Sequence, residues 1–153
     1  MRQVNKQYPK EHAEQVTLVN WWRTAGYRMV NPVHRALFPA QLWAIPNGGT
    51  SNAIMGRQLN AEGRLAGVAD LFLQVISPRP EGGMYGGLFI EMKRRQGGRQ
   101  TESQRNFEAL CWLTGYAYVL CKGCVDAQQR ITDSLTGRLE RPAGARNIKI
   151  INN

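Results

Sequence analysis

A mixed α/β fold, one central sheet under helical cover, is what the sequence predicts, and three observations carry that expectation. Helical and strand patterns succeed one another in the order helix, strand, helix, strand, strand, helix, strand, helix, with no internal repeat and no low-complexity linker. Glycine or proline closes most of these patterns. The 153 residues carry 42% hydrophobic side chains, enough for one core and one domain.

Each element has its own local reason. From 11 to 25, Ala13, Val16, Val19 and Trp22 recur at helical spacing, Leu18 and Trp21 widen the stripe, and Gly26 is the expected C-cap. Pro32 and Pro39 bracket a short HRALF segment of about one helical turn. Leu42-Trp43-Ala44-Ile45 is a strand cut off by Pro46-Asn47-Gly48-Gly49. Ser51 or Asn52 caps a second helix that stops at Gly63. The segment 70–76, DLFLQVI, is a strand, SPRPEGGMYGG a connecting loop, and GLFIEMK the hairpin partner. Thr101 begins a third helix with Phe107, Leu110, Cys111 and Thr114 on one side, closed by Gly115. The segment 116–121, YAYVLC, is the last strand, and 125–135 the last helix, with Ala127, Ile131 and Leu135 four residues apart before Gly137. A basic tail, 138–153, follows the domain of 1–137 and stands apart, belongs to the domain or joins a dimer interface, and its NIKII either adds an edge strand or stays disordered.

Bulk properties narrow the partners. A net charge of +9, from 20 Lys and Arg against 11 Asp and Glu, favours a polyanion or an anionic surface. No apolar run has the length of a membrane span and the start MRQVNKQYPKEH lacks a signal-peptide core, so an intracellular, cytoplasmic protein is expected. Cys111, Cys121 and Cys124 cannot all pair within one chain. Cys121 and Cys124 have the spacing of half a zinc site, but no second pair follows and His12 and His34 lie far upstream, so the thiols are read as structural.

Glycine-rich phosphate loops and a nucleophile elbow are both absent from the sequence, which leaves the carboxylates. In GLFIEMKRR, Glu91 and Lys93 share one strand face with Phe89, while Leu88, Ile90 and Met92 take the other. Taken alone, this is a solvated ion pair at a strand end. Asp70, however, opens one strand and Glu91 closes its hairpin partner, so both acids come to the same end of the sheet. That pairing suits Mg²⁺, which takes one or two carboxylates and keeps sites for water and a phosphate oxygen. Lys93 then points its charge at the attacking water or the scissile phosphate.

Gly67-Val68-Ala69-Asp70, a spacer, then Ile90-Glu91-Met92-Lys93 resembles the D…E-x-K signature of the PD-(D/E)XK nucleases, and more narrowly their virus-type replication-repair (VRR-NUC) branch. That branch carries an early helical Glu, matched by Glu14 with Gln15, and a P-N-G-G loop, matched by residues 46–49. Its strand start G-V-P-D-L is matched by Gly67 to Leu71, and its Q-x-x-[FW] helix by Gln104 to Phe107. The match runs in order from Glu11 to Leu135, and the one departure, Ala69 for the usual Pro, removes no functional group.

The resemblance implies a restriction-endonuclease-like core and an Mg²⁺- or Mn²⁺-dependent endonuclease. Stand-alone members of the branch look like phage or bacterial proteins of DNA replication and repair, and act as homodimers on branched DNA such as four-way junctions. It further implies that Asp70, Glu91 and the Met92 carbonyl bind the metal, that Glu14 faces it from helix one, that Lys93 orients the nucleophile and that Gln104 supports the site. Gln104 also stands as the last member of a Thr-x-x-Gln capping box, and both roles are compatible. Arg57, Arg64, Arg94, Arg95 and Arg99, with Asn47 of the P-N-G-G loop, flank these residues and are expected to track a nucleic-acid backbone. The stretch YRMVNPVHRALF either forms a dimer interface or packs internally. A nucleic-acid-binding module without catalysis, or a scaffold binding protein, are the alternative functions on the same fold.

Overall fold

The computed structural model describes residues 10–30, 40–46 and 53–143. The HRALF segment, Asn47, the caps Ser51 and Asn52, and NIKII lie outside the described residues, as does most of YRMVNPVHRALF.

Helix α1 spans Glu11–Thr24. Its buried line is Glu14, Leu18 and Trp22, spaced by four, while Ala13 is exposed and Val16 is 44% exposed. The apolar periodicity is therefore offset from the true inner line, because that line begins with a carboxylate. Gly26 does not cap the helix in the left-handed conformation. Ala25 closes α1, a 3-10 turn spans Gly26–Met29, and Gly26 is needed for space: a Cβ there would stand 2.8–2.9 Å from the rings of Trp21 and Trp22.

The remaining elements are β1 (Leu42–Ala44), α2 (Ala53–Ala61), β2 (Leu71–Leu73), β3 (Ser77–Pro78), β4 (Met84–Tyr85), β5 (Leu88–Lys93), α3 (Glu102–Leu113), β6 (Ala117–Lys122) and α4 (Cys124–Leu135). The main sheet has the order β1-β2-β5-β6, antiparallel except for the parallel pair β5 and β6, and β3 with β4 forms a separate ribbon. This is the mixed sheet the sequence predicts, and β2 and β5 are the expected antiparallel partners.

Three expectations need correction. The strand over 70–76 is cut to Leu71–Leu73, because the Val75 N–H turns back to the Leu73 carbonyl at 2.9 Å and the chain leaves the sheet. The loop after it contains the ribbon, pinned where Ser77 Oγ and Ser134 Oγ share a buried hydrogen bond of 2.9 Å with α4. In α3 Leu110 faces solvent, and Trp112 joins Phe107 and Cys111 in the core instead. Past Gly137 the chain still packs: Leu139 is 3% exposed, and the Arg138 and Leu139 N–H groups donate to the Asp133 carbonyl at 2.8 and 3.1 Å.

Two layers of helix cover the sheet. Phe107 of α3 meets Phe89 of β5 at 5.0 Å between ring centres and Tyr118 of β6 at 6.3 Å, so α3 lies on the face of Phe89, Glu91 and Lys93. By alternation Leu88, Ile90 and Met92 face the other side, where α1 and α4 pack against each other and against β5. Burial of these side chains, each contributing about 1.5–3 kcal/mol, is the main source of stability. Because β2 runs against β5 and β1 against β2, the end of β1, the start of β2 and the ends of β5 and β6 meet at one rim of the sheet.

Gly67 locks that rim to α3. Its φ is +83°, and a Cβ would stand 2.3 Å from the Ser103 carbonyl carbon and 2.6 Å from the Gln104 nitrogen. Gly63, at φ +98°, has nothing within 4 Å of its own missing Cβ. Gly63→Ala is expected to cost about 1–2 kcal/mol of backbone strain alone. Gly67→Ala must cost clearly more in urea denaturation, and equal losses would show that the approach to α3 is not tight.

Candidate active site

One step beyond the Leu71–Ile90 pair, the ladder brings Asp70 opposite Glu91, as the hairpin reading expects. The Ile45 N–H donates to the Asp70 carbonyl at 2.8 Å, and the Asp70 side chain accepts from the Met92 N–H at 2.8 Å through Oδ2. Backbone bonds thus hold both the main chain and the carboxylate of Asp70.

Glu91 and Lys93 are not a solvated pair. They are 2% and 8% exposed, and Lys93 Nζ lies 2.8 Å from Glu91 Oε1. Gln104 completes the cluster from the first turn of α3: its Nε2 donates to Glu91 Oε1, and its Oε1 accepts from Lys93 Nζ at 3.2 Å and from the Thr101 N–H at 2.9 Å. Since the Gln104 N–H also donates to Thr101 Oγ1, at 3.2 Å, one side chain closes a capping box and braces the acid and base together. Glu91 Oε2 stays buried with no hydrogen-bond partner among the described residues.

Burial pushes the Glu91 carboxyl up to about 7, opposed by the hydrogen bond and charge of Lys93 and reinforced by the charges of Asp70 and Glu11. Burial also raises Asp70, with the Met92 N–H opposing it and Glu11 adding repulsion. Glu11, in the first turn of α1, is thus a third carboxylate whose field reaches both acids. Sequence reading passed over it for Glu14. The available signal was that Glu11 lies three residues earlier on the same side of the helix.

Glu14 is engaged elsewhere. Its Oε1 accepts from Arg95 Nε at 2.6 Å, and its Oε2 from Arg95 Nη2 at 3.3 Å and from the Cys124 N–H at 2.8 Å. Burial alone would raise its pKa, but the Arg95 hydrogen bond, the Cys124 N–H and the Arg95 charge outweigh it and hold it below the ordinary carboxylate range. Gly123 makes the room, since a Cβ there would lie 2.9 Å from Arg95 and 3.3 Å from Glu14. The pair ties the start of α1 to the stretch after β5 and to the start of α4.

Of the expected residues the structure therefore gathers Asp70, Glu91, Lys93, Gln104 and the Met92 backbone into one cluster, with Glu14 and Arg95 in the adjacent tie. Arg94 and Arg99 are exposed just after β5, and Arg57 is exposed on α2. Arg64 is half-buried in a cleft that Asp70 also lines, with Nε donating to Asn60 Oδ1 at 3.0 Å. Asn47 lies outside the described residues. The three thiols are buried, and burial raises each pKa, that of Cys111 to about 12, so they stay protonated.

The cluster fits a hard divalent cation. Two carboxylates stand opposite each other at the end of the ladder, both raised by burial first and then by neighbouring acids, and one buried carboxylate oxygen is left without a donor among the described residues. A cation relieves both conditions, and Mg²⁺ needs no more than two protein carboxylates when waters complete its shell.

A four-stranded mixed sheet with helices on both faces defines a mixed α/β fold of the kind the sequence predicts. A solved structure described as a VRR_NUC domain protein shares it, with a TM-score of 0.64 at 20% identity over 84% of this chain and 89% of that one. At that identity the likeness establishes the fold, and it supports the family resemblance drawn from the motifs. No protein-family model matches the sequence, and no curated protein matches it.

Gln104→Ala removes contacts to Glu91, to Lys93 and to the Thr101 N–H together, whereas Thr101→Ala removes the cap alone. The cap should be worth about 1 kcal/mol. Exposing a buried charged group to loss of its partner adds about 1–3 kcal/mol. Urea denaturation should therefore rank Gln104→Ala as the more damaging change, and the reverse order would mean that Gln104 serves the helix only.

Proposed function

We propose that this protein is a divalent-metal-dependent endonuclease that hydrolyses phosphodiester bonds in DNA, with branched molecules such as four-way junctions as its preferred substrates. The observation that carries the reading is the buried Glu91–Lys93 pair opposite Asp70, with Glu91 Oε2 unpartnered. Burying an acid and a base at a sheet rim is a weak source of stability and a common arrangement for chemistry. The shared fold with a VRR_NUC domain protein supports the class of reaction.

Asp70, Glu91 and the Met92 carbonyl would hold Mg²⁺ or Mn²⁺, with Glu11 contributing negative potential from α1. When bound, the ion supplies Lewis-acid stabilisation of the phosphorane charge and lowers the pKa of water at the site. Lys93, fixed by Glu91 and Gln104, presents its ammonium to the attacking water or to a non-bridging phosphate oxygen. Water adds to phosphorus as the 3′ oxygen leaves, giving 5′-phosphate and 3′-hydroxyl ends. Gln104 keeps Lys93 and Glu91 in register. Glu14 acts through its hold on Arg95 and on the start of α4, and Arg57, Arg64, Arg94 and Arg99 contact the DNA backbone without reading sequence. A homodimer, as members of the resembled family form, would set two such sites across one junction.

Cleavage of labelled four-way junction, nicked duplex and plain duplex with Mg²⁺, Mn²⁺ or EDTA tests the reading. Glu91→Ala and Lys93→Ala should each lower the metal-dependent rate by about 10²-fold or more, as loss of a charge-stabilising group does. Tight DNA binding with no cutting in either metal, unchanged in both variants, would leave a binding module instead.

Independently of activity, Mg²⁺ should raise the melting temperature of the wild type, since a ligand that binds only the native state stabilises it. Glu91→Ala must lose that shift. A shift retained in Glu91→Ala places the ion elsewhere.

A further inference from the structure

We propose that the cleft beside Asp70 holds one unpaired nucleotide of the substrate, its base in an apolar half and its sugar-phosphate in a polar half, resting on the nuclease reading above. Two adjoining cavities, of about 600 and 400 Å³, both have Arg64, Leu65 and Val68 in their linings, and the pair is called the trough. One half is lined by Ile45, Pro46, Leu59 and the shared Leu65 and Val68; the other by Asn60, Ser103, Gln104 and Asp70. The trough thus runs from the end of β1 to the metal-binding rim.

Its chemistry is graded in the same direction. The apolar half carries Glu62 as its acid, whose charge repels a phosphate but is indifferent to a neutral base. Leu65, 53% exposed, stands at the junction of the two halves with a bare apolar surface. In the polar half Arg64 is steered by Asn60, and the first turn of α3 brings Ser103 beside it. A phosphate belongs there, against a guanidinium and next to the site where Asp70 would hold the cation.

Duplex DNA does not offer what the apolar half accepts. Stacked bases hide their faces and present polar edges in the grooves, whereas an unstacked base presents an apolar ring. Unstacking costs a few kcal/mol in a paired helix and least where the base is already unpaired. The trough therefore favours substrates with an unpaired nucleotide next to the cut, and the shape of the cleft becomes a determinant of the branched-DNA preference.

The test uses the full chain on a junction or flap whose cut has been mapped, with nucleotides near the cut replaced one at a time by an abasic site. Loss of the base at one position beside the cut should lower kcat/KM roughly tenfold, the effect of returning one apolar ring face to water, while other positions change little. Leu65→Asp should lower the rate on the intact substrate to a similar extent and add little on the abasic one, because both changes remove the same contact. Circular dichroism of Leu65→Asp checks folding, and the abasic series needs no variant at all. Uniform tolerance of abasic sites, or equal and additive losses from Leu65→Asp on every substrate, overturns the nucleotide cleft while leaving the nuclease intact. Absence of any metal-dependent cleavage overturns the nuclease reading and the cleft with it.

Discussion

Everything at the functional end of the molecule depends on one piece of register, the pairing that puts Asp70 across from Glu91. A slip of one residue between β2 and β5 would turn Glu91 and Lys93 to the face packed by α1 and α4, and Leu88, Ile90 and Met92 toward α3. The slip is prohibited twice. Leu71, Ile90 and Met92 are fully buried, so moving them off the core forfeits the largest apolar contacts of the strand. The Met92 N–H bond to Asp70 Oδ2 then fixes the end of the pairing where the ladder stops.

That register creates a problem that the surrounding residues answer. Burial at the rim, with repulsion from Asp70 and Glu11 added to it, is why the Glu91 carboxyl rises to about 7. Lys93 and Gln104 offset part of the repulsion at one oxygen of Glu91 and none at the other. The site is therefore stiff but electrically incomplete. A hydrophobic replacement of similar volume would serve stability as well or better, so folding stability alone does not account for the arrangement.

Legibility in the sequence followed the physics of each element. Strand β5 was readable because its two faces differ completely, apolar on one and Phe-Glu-Lys on the other, and so was its antiparallel partner. Capping by Thr101 with Gln104 was equally visible, because the box is local. The inner line of α1 was not, since Glu14 occupies a core position by virtue of Arg95 and the Cys124 N–H, partners 81 and 110 residues away. No local pattern carries that information. The family resemblance implies that Glu14 faces a metal from helix one; the structure ties it to Arg95 and the Cys124 N–H, and Glu11 is the acid of α1 whose charge reaches both Asp70 and Glu91. The ribbon of β3 and β4 was hidden for another reason: its short strands read as a loop because Ser77 is held by Ser134, not by hydrophobic alternation.

The strand order also explains why the polar residues gather at one rim and not elsewhere. β5 is flanked by an antiparallel strand whose start, and a parallel strand whose end, lie beside its own carboxyl end. In a sheet of this kind the loops at that rim come from strands that leave in different directions, and a crevice opens between them. One side of the crevice is closed by the Glu14–Arg95–Cys124 tie, where Gly123 lets backbone and side chains approach closely. The other side, between Asp70, Arg64 and the start of α3, stays open as the trough. Among the described residues the rim is thus braced on the side of Glu14 and Cys124, and the same topology that sets the acids opposite each other leaves Arg64 and the start of α3 beside Asp70.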